Sequence, residues 1–244
     1  MCFVSGFTET AESSRQKRAR NDNVRELNNH MKPLLKHFAV VLTVFLSASA
    51  GFAADGSQLK PPVGAKVAVV VFEDLECPSC AKAYPQVWQA ANASRVPVVL
   101  HDFPLSKHPW SRQAAIDARF LDTKSEKLGN DFRGYIYQNQ PQITRANLLQ
   151  YFQKFADENK VPVPFALDPQ GKLEDKIQAD YNLGLKCELT GTPTIFVIGR
   201  GAAPSFIEVK NPDELSSVIA DMQKKTGGPT RGNHTPGRKK ASSK

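Results

Sequence analysis

A run of apolar, mostly β-branched residues that ends just before a closely spaced pair of cysteines constrains this chain more than any other feature. Residues 67–72 read VAVVVF, the pattern of a strand buried on both faces of a sheet, and the motif CPSC follows at 77–80. Residues 80–92 have apolar positions at helical spacing, interrupted by Pro85, and residues 96–103 again predict a strand. Strand, helix and strand at this spacing predict a βαβ unit with parallel strands. The cysteine motif lies where its first strand ends and its helix begins.

The rest of the chain predicts a helical insertion, a β-hairpin and a closing helix. Residues 109–189 carry helical signals, with Thr144 and Asp168 as candidate helix caps. Two short apolar runs, 194–198 and 205–209, flank a turn and predict the hairpin. The fold class is therefore α/β, with a helical subdomain inserted between the second strand and the hairpin.

Both ends of the chain are predicted to lie outside the folded domain. The apolar run 38–46 is too short to span a membrane, and its basic and small-residue flanks predict a signal peptide over 31–53. Residues 1–30 are then either extraneous to the true start or a long polar leader. Residues 227–244, rich in Gly, Pro, Ser and basic residues, predict a disordered basic tail. We therefore expect an exported protein, periplasmic or secreted.

The positive charge of the chain comes from these ends. The formal net charge is +8, whereas residues 54–226 carry 20 basic and 20 acidic side chains. A nucleic-acid partner needs a basic face on the folded part, so this balance predicts none.

The cysteines indicate redox chemistry. The chain has four, Cys2, Cys77, Cys80 and Cys187. Two cysteines separated by two residues close a very small loop and constrain the unfolded chain little, which favours a redox pair over a structural disulfide. Zinc would need about four ligands, and the predicted mature chain offers only Cys187 and scattered histidines besides the pair, so we expect no metal and no cofactor. Cys187 is predicted to be an inert core residue, with a third redox thiol as the alternative.

Three local sequences resemble the DsbA-like family of thiol:disulfide oxidoreductases in the thioredoxin superfamily. They are FEDLECPSC, FPLSKHPWSRQAAIDARF and TGTPTIFV, in the family's order and spacing, and the resemblance covers about residues 64–225. It implies a thioredoxin fold with an inserted helical subdomain. It also implies that Pro193 is a cis-proline facing the redox pair and that Thr192 offers its backbone to a bound peptide. An ordinary trans proline entering an edge strand is the alternative for Pro193.

One position departs from the resembled family. That family often has a buried acid six positions before the first cysteine, which moves a proton to or from the second cysteine, and here the position is Val71. Asp74 matches the family. Glu73 and Glu76 are predicted to be exposed and therefore to be poor replacements, which leaves the proton route for Cys80 undefined.

The position of the motif assigns roles to its four residues. At a helix N-terminus, unpaired N–H groups lower the pKa of Cys77, which makes it the nucleophile. Cys80, one turn further in, is the resolving thiol. Pro78 and Ser79 tune the pair, the former by removing one amide donor and the latter through its hydroxyl.

These roles predict a disulfide oxidase that acts on exported client proteins and is recycled by a redox partner protein. Isomerases of the resembled type usually carry a dimerisation domain before the thioredoxin fold, and about a dozen residues between the predicted signal peptide and residue 67 are too few for one, so we expect a monomer. A reductase or isomerase is the alternative within the enzymes, for which Thr192 before Pro193 is suggestive. A redox-inactive peptide-binding thioredoxin-like module is the alternative outside them. His101 and His108 are predicted to be structural.

Overall fold

The computed structural model describes residues 53–227. The segments predicted as extraneous leader, signal peptide and tail therefore lie outside the described residues, except for Ala53 and Gly227. The described part contains six α-helices and four strands, in the order β1 (Val67–Glu73), α1 (Pro78–Ser94), β2 (Val98–Asp102), α2 (Ser111–Asp122), α3 (Glu126–Asn139), α4 (Leu148–Glu158), α5 (Lys172–Lys186), β3 (Thr194–Gly199), β4 (Phe206–Glu208) and α6 (Leu215–Lys225). None of these helices is both long and apolar enough to cross a membrane.

The four strands form one mixed sheet in the order β2-β1-β3-β4. β1 runs parallel to β2, which confirms the predicted βαβ unit. β3 is antiparallel to β1 and to β4, so the predicted hairpin is confirmed as well. All seven residues of β1 are buried because neighbours cover both faces of this central strand.

The sheet separates two apolar layers. Val67, Val69 and Val71 of β1 face α1 and α6, whereas the alternate residues of β1 face the chain before it and α5. A third apolar cluster fills the insertion around Phe132 and Phe152, and it also contains both cysteines of the motif. The motif thus lies where the core of the insertion meets the end of β1.

The predicted insertion is confirmed as the four helices α2–α5, with one helix start corrected. α4 begins at Leu148 and not after Thr144, because the Asn147 side chain accepts a bond from the Thr144 amide at 2.6 Å and closes a turn before the helix. Asp168 lies three residues before the capping position of α5, which is Gly171, but its carboxylate accepts from the amides of Leu173 and Glu174 at 3.0 and 2.9 Å and so stabilises the first turn.

Candidate active site

Cys77 occupies the capping position at the N-terminal end of α1. Its backbone is extended (φ −81°, ψ 118°), and the helix begins at Pro78, whose ring suits a first helical turn. The Cys77 amide donates to the Asp74 carbonyl at 3.0 Å. The sulfur therefore lies beside the unpaired amides of the first turn, as the sequence predicts.

The Cys77 thiol is more acidic than an ordinary cysteine. Its pKa is lowered to about 5, chiefly because the Cys80 S–H donates to the Cys77 sulfur; burial opposes this, and the Thr192 hydroxyl and the amides of Cys80 and Ser79 add to it. The predicted bond from the Ser79 hydroxyl to the sulfur is absent from the described residues, where Ser79 acts through its amide. Cys77 is therefore a thiolate at neutral pH.

Cys80 has the opposite character. Burial raises the pKa of its thiol well above 9, and the hydrogen bond to Cys77 and the negative charge on Cys77 raise it further. Its side chain faces a small internal cavity of about 10 Å³, whose walls include Val71, Glu73 and Tyr137. Cys77 lines an open cleft instead. One thiol thus faces outward as an anion, and the other faces inward and keeps its proton.

The segment around Pro193 closes the site from the opposite side. The Thr192–Pro193 peptide bond is cis, as the resemblance implies, and Pro193 lines the small cavity with Cys80. The Thr192 carbonyl accepts from the Cys77 S–H at 3.2 Å when that thiol is protonated. The Thr192 hydroxyl is buried without a hydrogen-bond partner in the described part of the chain, yet it is close enough to lower the pKa of both thiols. All predicted site residues therefore meet at one place.

Two acidic residues just before Cys77 form hydrogen bonds with the segment between β2 and the start of α2. Asp74 is fully buried in its side chain, and one of its oxygens accepts from the Leu105 amide at 2.8 Å and bonds His108 Nδ1 at 2.7 Å. Glu76 accepts from the amides of Trp110 and Ser111 at 2.7 and 3.1 Å, at the start of α2. The prediction that Glu76 is exposed is wrong, because this capping bond holds it partly buried.

The prediction that Glu73 is exposed is also wrong. Glu73 is 3 % exposed, and its Oε2 accepts from the Tyr137 hydroxyl at 3.0 Å. Arg133 Nε lies 3.0 Å from its Oε1, within ion-pair distance but without hydrogen-bond geometry. Burial raises the pKa of Glu73 to about 7, against the opposing effect of the Arg133 guanidinium. A buried carboxyl group therefore does lie beside Cys80, two residues after Val71 on the same face of β1.

The alternation of side chains between the two faces of β1 could have predicted that Glu73 is buried, if the predicted strand had been extended from residue 72 to residue 73. Its partners, however, belong to the insertion, and Tyr137 follows it by 64 positions in the chain. No local pattern signals that contact.

The outward cleft beside Cys77 has a volume of about 480 Å³. It is lined by Pro78 and Ser79, by the loop that contains Lys107 and His108, by Tyr181 and by residues 190–192. This covering leaves Cys77 only 7 % exposed, less than its predicted role suggests. His108, to which the sequence assigns no role, lies at this rim because Asp74 holds its ring there.

Two further candidates lie away from the reacting sulfurs. His101 bonds Asp180 at 2.6 Å and stacks on Phe72, which fits the predicted structural role. Cys187 is fully buried in the apolar layer behind the sheet, as predicted for a core cysteine. Within residues 53–227, no three potential metal ligands lie close together.

Comparison with known proteins places this geometry in a family. A family model described as thioredoxin matches residues 63–221. Among curated proteins, the chain is similar to the Na(+)/H(+) antiporter NhaA 3 of Salinispora tropica, at 27 % identity over 178 residues, which are 71 % of this chain and 26 % of the relative. The chain thus spans about a quarter of the length of the curated relatives it matches.

Solved structures share the fold at low sequence identity. Alpha-DsbA1 from Wolbachia pipientis is 17 % identical, with a TM-score of 0.54 over 68 % of this chain and 90 % of that one. A periplasmic thioredoxin-like protein from Salmonella enterica serovar Typhimurium is also 17 % identical, with a TM-score of 0.54 over 68 % and 88 %. With the thioredoxin model matching most of the chain and DsbA proteins sharing its fold, this chain belongs to the thioredoxin family and has a DsbA-like thioredoxin fold with a helical insertion.

Proposed function

We propose that this protein is a thiol:disulfide oxidoreductase that donates the Cys77–Cys80 disulfide to client proteins outside the cytoplasm. The observation that carries the proposal is the contrast between the two thiols. The pKa of Cys77 is lowered to about 5, whereas that of Cys80 is raised well above 9. A stabilised thiolate favours the reduced form of the pair, which makes the corresponding disulfide oxidising.

The exchange begins from the disulfide form. A client thiolate attacks the Cys77 sulfur, the Cys77–Cys80 bond breaks, and Cys80 leaves and takes up a proton. A second client thiolate then attacks the client's own sulfur in the mixed disulfide, and Cys77 leaves as a stabilised thiolate. The client loses two electrons and gains a disulfide, and the protein gains two electrons as a dithiol.

Glu73 supports the proton transfer at Cys80. It lines the same small cavity and has a pKa of about 7, so both of its protonation states are populated near neutral pH. The Tyr137 hydroxyl, bonded to Glu73 at 3.0 Å, lines that cavity too. Glu73 thus serves as proton donor when Cys80 leaves and as acceptor when Cys80 attacks.

The predicted signal peptide and the chemistry of disulfides support a location outside the cytoplasm. The predicted signal peptide over 31–53 supports export to the periplasm or beyond, where disulfides persist. The likeness to a periplasmic thioredoxin-like protein is consistent with that setting. The partners are exported proteins with thiols or disulfides, and a separate redox protein that reoxidises the pair.

Equilibration with glutathione tests the direction of exchange. We expect a reduction potential closer to the roughly −120 mV of strong oxidants than to the roughly −270 mV of thioredoxin. A value near −270 mV would instead assign the protein to the reductases.

A trapping experiment tests the activity itself. In Cys80→Ser, Cys77 should form mixed disulfides with envelope proteins, since no resolving thiol remains to release them. The double variant Cys77→Ser/Cys80→Ser is the matched control and should form none. If Cys80→Ser forms no adduct although Cys77 alkylates readily, the peptide-binding module is the better description.

A further inference from the structure

The insertion contains a second large cleft, distinct from the one beside Cys77. Its volume is about 1060 Å³, and it lies between α2, α4 and the segment 163–168. Apolar side chains form much of its wall: Trp110, Ile116, Leu148, Phe152 and Leu167. We call it the insertion cleft.

Exposed apolar residues concentrate at the mouth of the insertion cleft. Leu149, Val163 and Phe165 line it, and they are three of the five large hydrophobic side chains that are exposed in the described part of the chain. Phe165 is entirely uncovered. Apolar surface gathered around a cleft is typical of a site that binds another molecule.

The acidic residue Asp117 indicates which charge an occupant of this cleft would carry. It lines the cleft and is 2 % exposed, and its hydrogen bond within the described residues is the one from Gln113 Nε2 at 2.9 Å. The other buried carboxylates of residues 53–227 each face a basic side chain: Glu73 faces Arg133, Asp74 faces His108 and Asp102 faces Arg119. Asp117 lacks such a partner among the described residues, so a cation from outside would complete the site.

The insertion cleft adjoins the reacting sulfur along the chain. Its first lining residues, Pro109 and Trp110, directly follow His108, which lines the cleft beside Cys77. The Glu76 carboxylate bonds the Trp110 amide at 2.7 Å, and Glu76 directly precedes Cys77. Consecutive residues, 108 and 109, therefore line the two clefts.

We propose that the insertion cleft binds a segment of the client polypeptide that carries apolar side chains and one lysine or arginine, whose cation pairs with Asp117. This inference rests on the proposed function, because it takes the occupant to be a client. The apolar residues of the segment cover the rim, and the basic residue reaches the carboxylate.

The pairing has a pH signature. Burial raises the pKa of Asp117 to about 7, so the carboxylate is mostly protonated at pH 6 and mostly ionised at pH 8. The other charged residues that line the cleft are Arg112, Arg145 and Asp168, and backbone hydrogen bonds lower the pKa of Asp168. Binding of a basic segment should therefore strengthen about ninefold from pH 6 to pH 8.

Trp110 provides the signal for a binding experiment. The chain has two tryptophans, so Trp88→Phe leaves Trp110 in the cleft as the only one. The full-length Trp88→Phe protein is titrated with a cysteine-free peptide of Leu and Phe residues around one Lys, and with the same peptide carrying norleucine instead of Lys. At pH 8, we expect the Lys peptide to bind at least tenfold more tightly than the norleucine peptide and to shift the Trp110 emission.

Three variants assign the result to the cleft. Asp117→Asn should remove the preference for Lys and the pH dependence, whereas Asp221→Asn, which changes an exposed acid of α6, should keep both. Phe165→Ser changes an exposed side chain and should weaken both peptides without affecting the fold. Equal binding of the two peptides to the parent protein, or a Lys preference that survives Asp117→Asn, would overturn the inference. An emission shift on dilution of the protein alone would also overturn it, because a second copy would then occupy the cleft.

A covalent form of the peptide-binding experiment distinguishes failure of this inference from failure of the proposed function. Both peptides are extended by one cysteine and offered as disulfides to the Cys80→Ser protein. If neither forms an adduct with Cys77, the proposed function fails. If both form adducts at the same rate, the function stands and the insertion cleft has no role in client binding.

Discussion

Replacing Glu73 with glutamine should slow the step in which Cys80 loses its proton. Glu73 lines the small cavity beside Cys80, and a pKa of about 7 leaves about half of it ionised at neutral pH. Glutamine has nearly the same shape and keeps an oxygen that accepts from Tyr137. Arg133 retains its two bonds to Asp122, at 2.9 and 3.0 Å. The substitution therefore removes a base with little change in packing.

The expected magnitude follows from the two titrations. The ionised fraction of Glu73 rises from about one tenth at pH 6 to about nine tenths at pH 8, so a step that uses it as base speeds up about ninefold and then levels off. In Glu73→Gln the rate follows the thiolate fraction of Cys80, whose pKa lies well above 9, and so rises about 100-fold over the same range. At pH 7 we expect the variant to be slower by about 100-fold, the lower end of general-base effects.

Stopped-flow absorbance with an aromatic disulfide reagent isolates this step in a Cys2→Ser background. Cys77 attacks the reagent and releases one coloured thiolate, and Cys80 then attacks the Cys77 sulfur and releases the second. The rate of the second release does not depend on reagent concentration and reports on Cys80. Glu158→Gln, a change of an exposed glutamate, is the matched control and should keep the parent rates. If folded Glu73→Gln keeps the parent rate and pH profile, Glu73 does not serve Cys80.

Three further measurements examine the electrostatics of the fold. Alkylation of Cys77 should be half-maximal near pH 5 while Cys80 stays unmodified by mass spectrometry; modification of Cys80 first would reverse the two roles. The pKa of Asp117 is about 7 in the folded chain against 3.8 ordinarily, so its contribution to stability is full below pH 4 and is lost as the pH rises through 7. The free energy of unfolding measured in urea should fall by up to about 4 kcal/mol over that range, and Asp117→Asn should abolish this fall. A fall of the same size in Asp117→Asn would contradict the description of Asp117 as a buried carboxylate without a basic partner among the described residues. Val71→Glu should lower stability by a few kcal/mol without speeding the second thiolate release, because Glu73 already lines that cavity; a faster release would show that the cavity lacks a working base.

The architecture around the motif was predictable because its signals are local. The β-branched run of β1, the helical spacing after Cys80 and the paired runs of the hairpin each depend on neighbours in the sequence. The same holds for the acidity of Cys77, since the amides that help to stabilise its thiolate belong to the next turn of its own helix.

Burial of the polar residues was not predictable in the same way. Glu73 stands at the end of a strand and reads as exposed, but α3 of the insertion brings Arg133 and Tyr137 over it. The loop containing His108 covers Cys77 because the buried Asp74 bonds to that loop. The sequence by itself determined where the two sulfurs stand on the sheet and the helix. Only the tertiary structure decided which carboxyl groups lie in low dielectric beside them, because burial depends on what distant segments cover, and spacing along the chain does not encode that.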